Sequence, residues 1–163
     1  MQIILGKTAG FCFGVSNAVK KAEEELNKTK SLYCLGELVH NSQVTQELTK
    51  KGITFIDKIE DAKGNLIIRS HGVDKKTYSK AKKFSLKIID LTCPKVLKIH
   101  KIAEKYAKEN YYIFFIAQKK HPETIGTVGF CRDRVSIIEK SEDIKEALNQ
   151  LKKSNIEKLL IIS

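Results

Sequence analysis

Two cysteines and three histidines in this chain stand where a parallel α/β fold presents side chains to ligands. Thr92-Cys93-Pro94 closes the apolar run Leu86, Ile88, Ile89 and opens a helical pattern. A thiol held between the carboxyl end of a strand and the amino end of a helix feels the helix dipole, which favours thiolate over thiol. Cys93 is therefore a candidate ligand or nucleophile. In the same way Ile3, Ile4 and Leu5 lead through a glycine-bearing turn to Cys12 and a helix expected from about Val15. His40 follows the apolar run ending at Leu35, His71 follows Leu66–Arg69, and His121 follows Tyr111–Ile116. In parallel sheets that edge is where ligands bind. Imidazoles grouped there can hold a phosphate or diphosphate by hydrogen bonding and, when protonated, by charge. They can equally ligate a metal, although no CxxC or HxxxH spacing preorganises zinc. Glu123 in His121-Pro122-Glu123 is either a proton donor beside an anion site or a first-turn glutamate stabilising a helix. A Cys–His nucleophilic pair also remains open. His100 falls inside a helical pattern and is read as structural.

The elements that must position these residues alternate. Strands are expected at Gln2–Leu5, Ser31–Leu35, Ile53–Ile56, Leu66–Arg69, Leu86–Asp90, Tyr111–Ile116, Val135–Ile138 and Leu159–Ile162, mostly separated by helical periodicity. Such alternation predicts an α/β fold with mostly parallel sheets, as two similar three-layer units. Val15, Ala18, Val19, Ala22 and Leu26 line one face of the first helix. Gly52 suits the C-cap of a second helix from about Ser42, and Asp74 the N-cap of a third. Pro94 suits the first position of the longest helix, and Ser141 is expected to cap the last. The expected division is residues 1–92, with Cys12, His40 and His71, and 93–163, with Cys93, His121 and Glu123. The apolar run Leu159–Ile162 reads as a buried strand; either it is a sheet edge or further polypeptide is expected beyond it.

The chain has 163 residues, an apolar fraction of 42% and a net charge of +11, enough for a proper core. The lysines spread over helix faces without clustered arginine or stacking aromatics, which argues against a nucleic-acid partner. No run spans a bilayer and no basic n-region with a cleavage site is evident, so no membrane role is expected and the chain reads as cytoplasmic. Four cysteines in that setting favour reduced thiols and metal, cluster or redox chemistry, with Cys34 and Cys131 open between that and inert burial.

Five motifs occur in order: Thr8-Ala9-Gly10-Phe11-Cys12-Phe13-Gly14-Val15, Gly36-Glu37-Leu38-Val39-His40-Asn41, Arg69-Ser70-His71-Gly72-Val73, Asp90-Leu91-Thr92-Cys93-Pro94 and His121-Pro122-Glu123. On these the chain resembles the 4-hydroxy-3-methylbut-2-enyl diphosphate reductase family of the methylerythritol phosphate route to isoprenoids. The resemblance implies three similar α/β domains around an iron–sulfur ([4Fe-4S]) cluster, of which this chain carries the first two. It implies removal of the C-4 hydroxyl of an allylic diphosphate with two electrons and two protons, giving isopentenyl and dimethylallyl diphosphate. A reduced donor such as ferredoxin or flavodoxin would supply the electrons. By the same match, Cys12 and Cys93 are two of three thiolate ligands, and the remaining iron stays open for the substrate hydroxyl. His40, His71 and His121 bind substrate, the first two on the diphosphate side, and Glu123 is the proton donor. The family's third cluster cysteine and its downstream Thr, Ser and Asn pocket residues have no counterpart here. The alternative expectation is a catalytically incompetent fragment or an anion-binding module without a stable cluster.

Overall fold

A computed structural model describes the chain except for Met1, Leu5, Lys7, Thr8 and Lys30. Strands β1 (Leu32–Leu35), β2 (Ile53–Ile56), β3 (Asn65–Ile68) and β4 (Lys87–Asp90) form one sheet, ordered β2-β1-β3-β4. Strands β5 (Tyr111–Ile116), β6 (Val135–Ile138) and β7 (Lys158–Ile162) form a second, ordered β6-β5-β7. Every pairing is parallel. Side-chain alternation then gives each strand two faces to bury, and helices cover both. Helices α1 (Phe13–Leu26) and α2 (Ser42–Lys51) pack Ala18, Ala22 and Leu48 against Leu32, Cys34 and Ile67. On the opposite face, α3 (Lys75–Lys83) and a 3-10 turn at Ile59–Asp61 bury Ala81 and Ile59 against Leu66 and Ile68. In the second sheet, α4 (Pro94–Lys108) places Ala103 and Ala107 against Ile113 and Phe115 beside α5 (Pro122–Val128). There α6 (Asp143–Lys153) buries Ala147 against Tyr112 and Phe114 on the other side.

Local signals account for several helix ends. The Asn41 side chain accepts the Val44 amide and the Asp74 side chain the Thr77 amide, each supplying one of the acceptors a helix start lacks. Gly52 takes the left-handed C-cap, and Pro94 opens α4.

Three expectations need correction. Residues 2–4 form no strand, and Ile3 and Ile4 are 75% and 81% exposed; Leu5 lies outside the described residues. A strand must share its backbone hydrogen bonds with a neighbour, and no ladder in either sheet includes this segment. Ser141 does not cap α6: Glu142 holds the N-cap position, and Asp143 instead accepts the amides of Glu139 and Lys140. Strand β7 lies at a sheet edge with Leu159 and Ile161 exposed, so only part of that apolar run is buried. No helix among the described residues is long and apolar enough to cross a membrane.

The order of strands decides where a site can form. The chain runs from β1 outward to β2, then crosses back to β3, so the carboxyl ends of β1 and β3 flank a topological switch point. Strands β5 and β7 flank the equivalent point in the second sheet. The two sheets approach through the turn after β3: the backbone of Val73 lies 3.5 Å from where a Cβ on Gly126 would stand, and Asp74 Cβ 2.3 Å from one on Gly129. Lys75 bridges from α3 to Glu104 on α4 at 2.6 Å, and Lys108 reaches the same carboxylate at 2.7 Å.

Gly129 has ordinary helical dihedrals, so alanine there meets a packing obstacle alone. Gly129→Ala should destabilise by about 1–3 kcal/mol through overpacking against Asp74, read as a lowered denaturation midpoint. Hydrogen bonds from Lys108 and Lys75 hold the Glu104 carboxyl down to about 2. A depressed carboxyl stabilises the fold above its unfolded value of about 4.3, and that stabilisation is lost as pH falls toward 2. Thermal unfolding of Glu104→Gln should therefore show a flatter decline than wild type across about pH 4.5 to 2. At a partly exposed site each bridge is worth at most about 1 kcal/mol.

Candidate functional site

Three loops from the strand ends are tied together at Ser70. Its amide and its hydroxyl both donate to the Leu38 carbonyl, at 3.2 and 2.8 Å, which anchors the loop leading to His40. Its own carbonyl accepts the Cys93 amide at 2.9 Å. The turn that holds it begins at Arg69, closes with the Gly72 amide donating to Arg69 O, and presents His71. Gly72 has a φ of +72°, and a Cβ there would lie 2.8 Å from His100 Cε1. Both the backbone and the packing therefore demand glycine. His100 is buried and stacks on Phe130 at 4.4 Å between ring centroids; neither of its ring nitrogens has a hydrogen-bond partner among the described residues.

The three strand-end histidines converge. Ring centroids of His40 and His71 are 4.0 Å apart, those of His40 and His121 5.6 Å, and those of His71 and His121 6.0 Å. His40 is exposed, His121 half-buried and His71 buried. Burial pushes the His71 pKa down to about 4, and the neighbouring His40, Arg69 and His121 push the same way. Its Nδ1 is buried without a protein partner among the described residues. His121 is the N-cap of α5: its Nδ1 accepts the Glu123 amide at 3.3 Å, so the neutral ring carries its proton on Nε2. Glu123 is half-buried in the first turn of that helix. His121 and Glu123 share the wall of a cavity of about 390 Å³ with Lys95, Phe115 and Thr127, between α4 and the carboxyl ends of β5 and β7.

Cys12 and Cys93 are the N-cap residues of α1 and α4, the two longest helices described, and neither side chain caps its helix by a hydrogen bond. A Cβ on Gly14 would lie 2.8 Å from Cys93 Sγ and 3.9 Å from Cys12 Sγ, so the two sulfurs flank a space that only glycine leaves free. Cys12 is exposed and Cys93 half-buried. Two soft donors at helix starts, beside a hollow a side chain would fill, fit part of an iron–sulfur ligand set. Among the described residues no three His, Cys, Asp or Glu side chains gather closely enough to hold a metal ion. Cys34 and Cys131 are fully buried, and burial pushes both thiols up to about 12, which leaves them as inert core residues.

Ser70 and Gly14 are not singled out by residue type in the sequence, because they act on residues far along the chain and carry no local signal.

The family model described as "LytB protein" matches residues 3–163. The 4-hydroxy-3-methylbut-2-enyl diphosphate reductase of Caldanaerobacter subterraneus subsp. tengcongensis is 45% identical over 149 residues, which is 88% of this chain and 52% of that protein. The protein of the same name from Clostridioides difficile is 43% identical over 148 residues, 89% of this chain and 53% of its own length. The solved E-1-hydroxy-2-methyl-but-2-enyl-4-diphosphate reductase of Plasmodium falciparum superposes with a TM-score of 0.81 at 30% identity, over 94% of this chain and 57% of that one. A second solved structure, titled as (E)-4-hydroxy-3-methyl-but-2-enyl diphosphate reductase, the terminal enzyme of the non-mevalonate pathway, gives 0.80 at 34% identity, over 98% and 66%. The chain thus spans about half the length of the relatives it matches. With a family model running over nearly every residue, and an α/β architecture of parallel sheets shared with two solved reductases, this chain belongs to the LytB protein family.

Proposed function

We propose that this chain provides the diphosphate-binding face and two cluster ligands of a 4-hydroxy-3-methylbut-2-enyl diphosphate reductase, as two α/β units meeting near residue 93. The convergence of His40, His71 and His121 within about 6 Å, next to two N-cap thiols, carries this reading. His40 and His71 receive the diphosphate. Desolvation keeps His71 neutral without a ligand, and an arriving anion raises its proton affinity, so charge forms where it is matched. His121 donates from Nε2 to a substrate oxygen while its Nδ1 holds the start of α5. Glu123, in the first turn of α5 and on the cavity wall, delivers a proton to the leaving hydroxyl. Cys12 and Cys93 hold an iron–sulfur cluster, which when bound supplies Lewis acidity and electrons. A reduced protein such as ferredoxin or flavodoxin serves as donor, in a cytoplasmic setting that keeps the thiols reduced.

A second reading, an anion-binding module without a stable cluster, is favoured by one observation: only Cys12 and Cys93 among the cysteines are accessible. Iron and acid-labile sulfide per chain, measured after purification without oxygen, separate the two. The reductase reading expects bound cluster in wild type and its loss in Cys93→Ser; wild-type protein free of both elements supports the module. Independently, inorganic pyrophosphate should bind more tightly as pH falls from 7.5 to 5.5, with proton uptake seen by calorimetry in two buffers. His71→Asn should weaken that binding about tenfold or more and flatten its pH dependence. A pH-independent affinity unaltered by the substitution would remove the imidazoles from the anion site.

A further inference from the structure

The turn that carries Cys93 is folded around a carboxylate. Asp90 ends β4, and its Oδ1 accepts both the Thr92 amide at 3.0 Å and the Thr92 hydroxyl at 2.5 Å. Its other oxygen accepts the Tyr78 hydroxyl, at 2.8 Å from α3. On either side of Thr92 the backbone points toward β3: the Leu91 amide donates to Ile68 O and the Cys93 amide to Ser70 O. The intervening Thr92 amide bonds to Asp90, and Thr92 is buried, so without that carboxylate a buried donor would be left unmet. Thr92 also lies close under the neighbouring turn, its Cγ2 3.0 Å from where a Cβ on Gly72 would stand. The Cys93 side chain makes no capping hydrogen bond, so the backbone of this turn sets the direction from which its sulfur projects.

We propose that Asp90 is a positioning residue for the thiol pair. Its carboxylate, braced by Tyr78, holds the Leu91–Cys93 turn in the arrangement that sets Cys93 Sγ against Cys12 Sγ across Gly14. The proposal rests on the reading that the two thiols work together. It assigns the control of their spacing to a residue that touches neither sulfur through a hydrogen bond and lies outside the histidine cluster.

The test is native-state cross-linking of the cluster-free, full chain with dibromobimane, a short bis-alkylating reagent whose product fluoresces when both arms have reacted. Cys34 and Cys131 are fully buried and do not compete in the folded protein. Single alkylation by iodoacetamide reports access to each thiol, and the denaturation midpoint reports folding. Wild type should give the Cys12–Cys93 product. Asp90→Ala should lower its yield about fivefold or more relative to single alkylation. Asp90→Asn should restore most of it, since an amide oxygen can accept the same two bonds. Should Asp90→Ala fail to fold, Tyr78→Phe removes only the brace and should about halve the yield. An undiminished yield in folded Asp90→Ala or in Tyr78→Phe overturns the proposal, as does a loss in Asp90→Asn as deep as in Asp90→Ala. Wild type that alkylates at both thiols and never cross-links overturns the paired-thiol reading instead, a result distinct from any change among the variants.

Discussion

Ser70 joins three separate strand ends with three hydrogen bonds, and the geometry of the whole site depends on them. Its amide and hydroxyl hold the loop from β1, its carbonyl holds Cys93 at the start of α4, and its own turn presents His71. In a largely buried position these bonds have no competition from water, so losing one would leave polar groups unmet. The arrangement ties the loop to His40, the turn that presents His71 and the start of α4 at Cys93 into one hydrogen-bonded unit. A ligand spanning both would meet groups already in place, without the cost of ordering separate loops.

The site's electrostatics follow from the same packing. His71 is neutral because it is desolvated among other potential cations, and the whole chain carries an excess of positive charge. In that state the His71 ring does not repel its neighbours His40 and His121, and a nearby anion would favour its protonation. Cys12 and Cys93 sit at helix starts, the first exposed and the second half-buried. By contrast, Cys34 and Cys131 share the residue type but not the environment, and burial holds them as thiols.

Glycine governs how closely the parts approach. Gly14 keeps the hollow between the two sulfurs open, Gly72 lets the His71 turn settle onto His100, and Gly126 and Gly129 allow α5 to press against Val73 and Asp74. These contacts bring His121, on the second sheet, to the switch point of the first. They are made by residues far apart in the chain, so their energy is realised only when both sheets are formed.

Periodicity and capping signals determined most of the elements, because both are local: β2, β5 and β6, the caps at Gly52 and Asp74 and the start of α4 at Pro94 follow directly from adjacent residue types. The placement of His40, His71, His121 and Cys93 after strand ends was equally legible, since parallel order makes every strand end point one way. The apolar run at residues 2–4 misled for the converse reason: a strand exists only with a neighbour, and pairing is not a local property. Tertiary structure alone decided that loops from β1, β3 and β5 meet at one place, because strand order, and not spacing along the chain, chooses which loops are adjacent. It also decided which cysteines are buried, and that Ser70 and Asp90 brace the turn that carries Cys93, since burial and hydrogen-bond partners come into being only when distant segments pack.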